Sequence, residues 1–504
     1  MRKTFGKKFE QLPAVAVLSF LSVLCGCQGL QSGTTSSNSN TGSIQSVNHI
    51  IFMAQENRSF DTYFGQLPAY WAANGFPSQQ LDAMPANASN PAYTGTTTPG
   101  TTNVDAYHFA TECIENLTPS WDESHQDWNL QTPTSSTAMM NGFVYNAAKY
   151  ASDEGNTDTQ GYRAMGYYDW TDLPYYYFMA SNFATSDRWF SPALDRTQIN
   201  RMYLMAATSH GYAYPPGTTA SDNAPINVPT IFDSLTTAGV SWKIYATDNT
   251  CSGPPSDTGG SRTAVGEEAA NPEQSSGGYC TYLTQFAKYA SGALPPNVVS
   301  ASEFLTDAAA GTLPSVSFIE PGYLSGQDEH PSSGTNVQTG AYYVSTLING
   351  LMNSPSWKDS VFILTYDEAG GTYDHVPPQP EPNPDGISPV DLATTDICYN
   401  DYSNPLCNFQ YTGYRLPLLV ISPFTKKNYV SHTVADYTAI LKFIETRFNL
   451  QPLTQRDGAQ MDMTEFFDFQ NVPWATPPTG IPTQPSSPAN GGGPCNATTL
   501  GYSQ

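Results

Sequence analysis

Five short, continuous apolar runs are the strongest constraint on the fold of this chain. Hydrophobic runs without alternation are typical of strands that are buried on both faces, as in a parallel sheet. Helical periodicity lies between the runs, over 337–352 and over 431–449, where Thr433 and Asp436 are placed to cap the second helix. Strands that alternate with helices predict an α/β fold with a largely parallel central sheet flanked by helices. The five runs occupy residues 49–55, 242–247, 315–321, 360–368 and 416–423.

Long polar segments interrupt this pattern. Stretches rich in Gly, Pro, Ser and Asn lie near 85–105, 212–228, 250–279 and 376–412, and they predict long surface loops. The tail after residue 470 is rich in Pro and Gly, which predicts an extended and weakly ordered segment. Since no composition change marks a second folded unit, we predict one folded domain over 47–470 and a tail over 471–504.

The N-terminus has the features of a targeting segment. Four basic residues within the first eight positions precede an apolar run over 12–24, which is shorter than the roughly 20 residues that span a bilayer. The run ends in "LCGC" at 24–27, which resembles the lipobox of bacterial lipoproteins. We therefore predict a signal peptide over 1–26, a lipid on Cys27 that anchors the exported protein to the outer membrane or cell surface, and a flexible tether over 27–46. An ordinary signal peptide cut nearby is the alternative.

The charge of the chain restricts its partners. The full chain has a formal net charge of −24, and the predicted signal peptide would remove four basic residues and one acidic residue. A protein this acidic is not expected to bind nucleic acid through its general surface. Chemistry on an anionic substrate would need a local cation, and with so few Lys and Arg residues a metal ion is the natural candidate.

Six cysteines remain after the predicted signal peptide and the lipidated Cys27. An even number in an exported chain favours disulfides. We predict the local pairs Cys251–Cys280 and Cys398–Cys407, which leaves Cys113 to pair with Cys495.

Acidic and amide side chains follow two of the predicted strands. Glu56 and Asn57 come directly after the run at 49–55, and Asp367 and Glu368 end the run at 360–368. Ligands collect at the carboxyl ends of parallel strands, and hard divalent cations prefer carboxylate and amide oxygens. Because neighbouring residues of a strand point to opposite faces, each pair can share a ligand only where the chain turns. A helix cap at the first pair and a solvated turn at the second are the alternatives.

An ordered set of motifs extends this interpretation. Together the motifs resemble the bacterial and plant phosphoesterase family that contains acid phosphatases and phospholipases C. The resemblance implies an alkaline-phosphatase-like α/β fold with long loop insertions, and it makes 47–470 a phosphoesterase catalytic domain. The motifs are "MAQENRSFDTYFG" (53–65), the segment 165–190, "DRTQINRMYLMAATSHG" (195–211), "EHP" (329–331), "TYDEAGGTYDHVPP" (365–378) and "LPLLVISPF" (416–424).

The resemblance also implies a metal site and a nucleophile. It makes Glu56, Asn57, Asp367 and Glu368 ligands of one divalent ion, which these oxygen ligands allow to be Ca, Mg, Mn or Zn. It makes Thr197 the nucleophile, bound to the same ion, which would lower the pKa of its hydroxyl.

The remaining implied roles concern histidines and two departures from the family. His125 and His330 are expected to line the phosphate site, and His375 to support it. Ile199 stands where the family usually has Pro, and Ala369 replaces a His that is common in phospholipase members. The glycines after Ala369 would let the backbone pass close to a ligand.

Two arginines and a tyrosine run complete the candidates. Arg58 and Arg201 are expected to buttress the site through ion pairs rather than to contact phosphate. The tyrosine-rich run at 175–178 predicts core packing in preference to a cage for a quaternary amine.

These expectations together predict an exported, metal-dependent phosphoesterase of the acid phosphatase type. Ala369, and a chain that stops soon after the catalytic core, favour that activity over the alternative of a phospholipase C acting on phosphatidylcholine-type lipids. A non-catalytic surface lipoprotein that binds phosphorylated ligands is the alternative from another class.

Overall fold

The computed structural model describes residues 42–215, 224–249, 279–290, 294–323, 325–331, 336–487 and 497–502. The predicted signal peptide, the lipid site at Cys27 and most of the tether lie outside these residues, as does most of the insertion at 250–279. None of the described helices is long and apolar enough to cross a membrane.

The secondary structure alternates between strands and helices along the chain. The strands are β1 (His49–Gln55), β2 (Ser89–Pro91), β3 (Asn103–Asp105), β4 (Tyr107–His108), β5 (Gly166–Tyr167), β6 (Ala184–Ser186), β7 (Trp189–Phe190), β8 (Trp242–Ala246), β9 (Val298–Ser300), β10 (Val316–Glu320), β11 (Ser360–Tyr366), β12 (Leu419–Ile421), β13 (Tyr429–Ser431) and β14 (Ala435–Asp436). The helices are α1 (Phe60–Phe64), α2 (Leu67–Asn74), α3 (Trp121–Trp128), α4 (Phe143–Glu154), α5 (Pro174–Asn182), α6 (Thr197–Ala206), α7 (Ile231–Ala238), α8 (Glu303–Ala310), α9 (Val337–Met352), α10 (Ala439–Phe448) and α11 (Gln455–Ala459).

Eight strands form one central sheet in the order β13-β6-β12-β11-β1-β10-β8-β9. Every pairing is parallel except those of β12, which runs antiparallel to both β11 and β6. The predicted α/β fold with a largely parallel sheet is therefore confirmed. All five apolar runs of the sequence contribute strands to this sheet, as β1, β8, β10, β11 and β12.

Burial explains why the three central strands, β1, β10 and β11, are mostly apolar. Every residue of β10 and β11 is buried, and only His49 of β1 is partly exposed. Phe52 of β1 and Phe318 of β10 stack with their ring centroids 4.7 Å apart. The removal of these side chains from water on both faces of the sheet drives this core to form.

One predicted helix is confirmed, and the start of the other is wrong. Helix α9 spans Val337–Met352, as predicted. Helix α10 begins only at Ala439, because residues 435–436 pair with β7 as strand β14. The Asp436 carboxylate accepts hydrogen bonds from the backbone N–H (2.7 Å) and the hydroxyl (2.6 Å) of Thr438, so it caps a turn that precedes the helix. The apolar periodicity continued from a strand into a helix, and spacing alone does not separate the two.

The cysteines and the C-terminal tail are held to the folded unit. The predicted disulfide between Cys398 and Cys407 is present. Cys113 and Cys280 each take part in a disulfide. The predicted partner of Cys113 is Cys495 and that of Cys280 is Cys251, and both predicted partners lie outside the described residues. In the described part of the tail, the Trp474 carbonyl accepts a 3.0 Å hydrogen bond from the Trp357 indole and Leu500 is buried. The weak order of the tail stays a prediction.

Candidate active site

The register of the sheet places the two acidic pairs side by side. In the parallel pairing of β1 with β11, Gln55 lies opposite Tyr366, so the next residues of the two strands are Glu56 and Asp367. The backbone N–H of Asp367 donates to the Gln55 carbonyl at 3.0 Å, which extends the pairing to the point where both strands end. Pairs that are 310 positions apart in sequence thus become neighbours at one edge of the sheet.

The chain turns at Asn57, as the sharing of one ligand by adjacent residues requires. Asn57 has a φ of 63°, in the left-handed region that Asn tolerates better than most residues. Its backbone N–H donates to Asp367 Oδ1 at 3.2 Å, and the N–H of Glu368 donates to the same oxygen at 2.7 Å. The carbonyl of Glu368 in turn accepts from the N–H of Arg58 at 3.1 Å. Hydrogen bonds therefore join the two turns directly.

The glycine that follows Ala369 allows this close approach. Gly370 has a φ of +68°, and a Cβ at this position would lie 2.6 Å from the Asn57 carbonyl oxygen. The sequence predicted that a ligand would approach the backbone here. The structure shows the backbone of the neighbouring turn against Gly370, and the approach of a ligand stays a prediction.

Helix α6 brings Thr197 to the same place. Thr197 is the first residue of the helix, and its Oγ1 donates to Asn57 Oδ1 at 3.4 Å. Because the first N–H groups of a helix have no intrahelical acceptor and carry partial positive charge, the start of α6 favours an anion next to the Thr197 hydroxyl.

Arg201 lies one turn further along α6 and contacts both acidic pairs. Its Nη2 lies 3.0 Å from Glu56 Oε1, and its Nε lies 3.3 Å from Asp367 Oδ2. Its guanidinium also covers the ring of Tyr282 at 4.5 Å, and the Tyr282 hydroxyl donates to Glu56 Oε1 at 3.1 Å. These contacts are the buttressing ion pairs that the sequence analysis expected of Arg201.

Arg58 differs from Arg201. Its Nη1 donates to the Asn57 carbonyl at 2.6 Å, while its buried Nε has no hydrogen-bond partner. Among the residues that the structure describes, no carboxylate lies within ion-pair distance of Arg58, so its predicted ion pair is not formed there.

The chemistry of this group of side chains fits a hard divalent cation. Burial raises the pKa of Asp367 to about 7, although the Arg201 guanidinium opposes that shift. Two buried carboxylates, those of Glu56 and Asp367, share the Arg201 guanidinium, and the excess negative charge is costly unless a further cation offsets it. Five oxygen-bearing side chains, none more than 4% exposed, are available to hold that cation: Glu56, Asn57, Thr197, Asp367 and Glu368.

Glu56, Asp367 and Glu368 are neighbours, but they do not form a group whose ligand atoms all lie within 4.8 Å of one another. In the described part of the chain, two trios of His and Asp bring ligand atoms within 4.8 Å of one another, and neither includes a predicted ligand. The Arg201 guanidinium forms ion pairs with both Glu56 and Asp367, so both carboxylates face the guanidinium. The trios are Asp61 with Asp374 and His375, and His108 with Asp169 and Asp172.

The first trio already contains a cation. Arg415 Nη2 lies 2.9 Å from Asp61 Oδ1, and its Nε lies 2.8 Å from Asp374 Oδ1. His375 Nδ1 lies 2.7 Å from Asp61 Oδ2; burial lowers the pKa of His375, but Asp61 outweighs this effect and raises it to about 9. This buried ion network joins helix α1 to the segment that follows Glu368, which agrees with a supporting role for His375.

The structure corrects the role of His125. Its Nδ1 lies 2.6 Å from the Trp121 carbonyl and its Nε2 lies 3.0 Å from the Leu406 carbonyl, so both ring nitrogens contact backbone oxygens. The ring is fully buried, and burial lowers its pKa. His125 therefore joins helix α3 to the 376–412 loop and has no nitrogen left for a phosphate. The loose spacing around it in the sequence gave no indication of this packing.

His330 belongs to a segment that lies against the first acidic pair. The Asp328 carbonyl accepts from the Glu56 N–H at 2.8 Å, and the N–H of His330 donates to Asp328 Oδ1 at 3.1 Å. Between them, the Glu329 carboxylate accepts hydrogen bonds from Tyr63, Tyr176 and Gln55.

The tyrosine run at 175–178 is core, as predicted. Tyr175, Tyr176 and Tyr177 are all buried, and each hydroxyl has a hydrogen-bond partner inside the protein. The three tyrosine rings therefore pack inside the protein and do not enclose a quaternary amine.

A small acidic pocket adjoins Glu56, with room for about one or two water molecules. Its lining includes the carboxylates of Glu56, Asp248 and Glu320 and the rings of Tyr282 and Tyr323. Burial raises the pKa of Glu320 to about 7. A cavity lined by carboxylates and aromatic rings suits a cationic group.

The sequence analysis missed three residues that contact or adjoin the site. Glu320 is the last residue of β10, so its position at a strand end was a usable signal. Glu329 precedes His330 in a quoted motif but carried no periodicity or spacing signal of its own. Tyr282 follows the 250–279 insertion, and nothing in the sequence marks it.

Comparison with known proteins identifies the family of the chain. The sequence model of the Phosphoesterase family matches residues 47–451. The chain is 31% identical over 464 residues to phospholipase C B of Mycobacterium tuberculosis, a match that covers 86% of this chain and 80% of that protein. It is 27% identical over 453 residues to non-specific phospholipase C1 of Arabidopsis thaliana, covering 86% of this chain and 74% of the relative.

Among solved structures, one similar chain is a protein of the alkaline phosphatase superfamily from Vibrio parahaemolyticus. The two chains are 12% identical with a TM-score of 0.29, over 79% of this chain and 78% of the other.

Proposed function

The chain belongs to the Phosphoesterase family and is a hydrolase of phosphate ester bonds, and we propose that Thr197 is its nucleophile. Glu56, Asn57, Asp367 and Glu368 would hold the divalent ion. The observation that carries the proposal is the 3.4 Å contact between Thr197 Oγ1 and Asn57 Oδ1, at the point where two acidic strand ends meet.

The side chains have distinct roles in this proposal. A bound divalent ion would supply a lowered pKa for the threonine hydroxyl and offset charge on the phosphoryl oxygens. Thr197 Oγ1, after losing its proton to water, would attack phosphorus in line and form a phosphothreonine as the bond to the leaving oxygen breaks. Water would then hydrolyse the phosphothreonine and restore the hydroxyl. The amide groups at the start of α6 would stabilise the phosphoryl oxygens, and the imidazolium of His330 would give a proton to the leaving oxygen. Arg201 would hold Glu56 and Asp367 in position.

Two observations favour a phospholipid-type diester over a phosphomonoester as substrate. The curated relatives described above carry the name phospholipase C. The carboxylates that line the small pocket beside Glu56 would attract the cationic end of a phosphocholine or phosphoethanolamine group. A phosphomonoester, which would make the protein an acid phosphatase, is the second candidate.

A substrate panel tests the proposal. Purified protein, stripped of metal and then supplied with Ca, Mg, Mn or Zn, is assayed with an aryl phosphate, an aryl phosphocholine ester and phosphatidylcholine in mixed micelles. We expect turnover to need one of the ions, and the choline esters to exceed the aryl phosphate in kcat/KM by about 10-fold or more, because only they carry a cation that the carboxylates beside Glu56 would attract.

The other outcomes of the panel are also informative. Faster turnover of the aryl phosphate would make the protein an acid phosphatase. Binding of phosphorylated ligands without any turnover would support the non-catalytic surface protein. Turnover that persists after metal removal would exclude the metal-dependent mechanism.

We also propose that the protein is exported and anchored through a lipid on Cys27, on the strength of the lipobox-like "LCGC". In a bacterial host, Cys27→Ser is expected to move the protein from the membrane fraction to the soluble fraction, because the thiol that accepts the lipid is gone. Cys25→Ser is the matched control and should leave the protein in the membrane fraction. Equal fractionation of Cys27→Ser and the native chain would contradict the anchor.

A further inference from the structure

We propose that Glu329 is a positioning residue: its carboxylate ties the ends of both ligand-bearing strands to the segment that carries His330. The inference rests on the proposed function and deepens it, since it concerns what holds the predicted metal ligands and His330 in position relative to one another.

All the acceptor capacity of the Glu329 carboxylate is used. Oε1 accepts from the Tyr176 hydroxyl at 2.5 Å and from Gln55 Nε2 at 3.0 Å. Oε2 accepts from the Tyr63 hydroxyl at 2.6 Å and from the Tyr366 hydroxyl at 2.8 Å. A carboxylate offers about four lone-pair sites, so these four donors satisfy it inside the protein. The donors are neutral, and in the described residues no Lys or Arg forms an ion pair with Glu329.

Two of the donors are the last residues of the strands that bear the predicted ligands. Gln55 ends β1 and directly precedes Glu56, and Tyr366 ends β11 and directly precedes Asp367. Gln55 Nε2 also donates to the Gln327 carbonyl at 3.0 Å, which adds a second tie to the same segment. Because each of these donors is the residue directly before an acidic pair, a shift of the Glu329 carboxylate would also move Glu56 and Asp367.

The backbone at Glu329 needs such a tie. Its φ of 70° is in the left-handed region, which is uncommon for a Glu and is retained only where the surroundings enforce it. On either side, the Asp328 carbonyl binds the Glu56 N–H and the His330 N–H binds Asp328 Oδ1. The side chain of Glu329 thus fixes the turn in which Asp328 contacts both Glu56 and His330.

Helix α9 is shaped around this carboxylate. Gly340 lies inside α9, where glycine costs roughly 1 kcal/mol relative to alanine. A Cβ at Gly340 would lie 2.3 Å from Glu329 Cγ, so only glycine leaves room for the Glu329 side chain. This accommodation is an independent observation that the fold is built to hold Glu329 where it lies.

The test removes single donors rather than the carboxylate, since loss of Glu329 itself can unfold the chain. Tyr176→Phe and Tyr366→Phe each delete one hydroxyl. The matched control is Tyr175→Phe, whose hydroxyl lies on the same helix but donates to Asn349 at 3.0 Å. Each variant is assayed for kcat and KM, and metal-free protein is titrated by calorimetry with the ion that best supports the native enzyme.

We expect Tyr176→Phe and Tyr366→Phe to lower both kcat and the affinity for the ion by about 10- to 100-fold, the range found for groups that orient metal ligands, with KM changed far less. Glu329→Gln should fall in the same range if it folds. Variants that lose only thermal stability, with ion affinity and kcat equal to those of Tyr175→Phe, would overturn the positioning role. If the native protein neither binds a divalent ion nor turns over a phosphoester, the proposed function fails, and this inference fails with it.

Discussion

Thr197→Ala is expected to lower turnover of the best substrate by about 10⁴-fold or more, because it removes the atom that would form the bond to phosphorus. Only one methyl and one hydroxyl are lost at the start of α6, so circular dichroism and the melting temperature should stay close to those of the native protein. Thr197→Ser keeps the nucleophilic oxygen and should retain measurable turnover. The measurement is kcat with an aryl phosphocholine ester and with an aryl phosphate.

Thr446→Ala is the matched control for this variant. Thr446 is also a helical threonine, but its hydroxyl donates to the Lys442 carbonyl of its own helix at 2.7 Å. Its turnover should equal that of the native protein. Turnover by Thr197→Ala at more than about a tenth of the native rate would remove Thr197 as nucleophile, whatever the metal content of the sample.

Arg201→Met is expected to destabilise the metal-free protein by about 3–5 kcal/mol, because it leaves the buried carboxylates of Glu56 and Asp367 without the cation that pairs with them. Urea unfolding followed by fluorescence measures the loss. Addition of a divalent ion should recover more stability in this variant than in the native chain, since the ion would then be the sole cation between the two carboxylates.

Arg188→Met is the control for Arg201. Arg188 pairs with Asp82 at 2.7 Å, and both side chains are partly exposed, so its loss should cost only about 0–1 kcal/mol. If the two variants lose the same free energy of unfolding, the ion pairs of Arg201 with Glu56 and Asp367 stabilise the protein no more than a surface ion pair does. The buried carboxylates would then not need the Arg201 cation.

The strands and the position of the site were predictable because their signals are local. A continuous apolar run reports burial on both faces wherever it occurs, and the residue after such a run lies at a strand end whatever the rest of the chain does. For this reason Glu56, Asn57, Asp367 and Glu368 could be identified as a group before the sheet order was known. The ordered motifs then identified the family, which the match over 47–451 confirms.

Three features were not predictable, because each depends on contacts between segments far apart in sequence. They are the start of α10, the packing of His125 and the four hydrogen bonds to the Glu329 carboxylate. Strand β14 interrupts an apparently helical pattern because β7 pairs with it. His125 is held by the Leu406 carbonyl, 281 positions away. Local sequence thus determines which segments become strands and which polar residues lie at their ends, because burial and chain direction act residue by residue. Which of these residues contact one another, and whether a histidine faces a substrate or a carbonyl, depends on long-range packing that no single segment encodes.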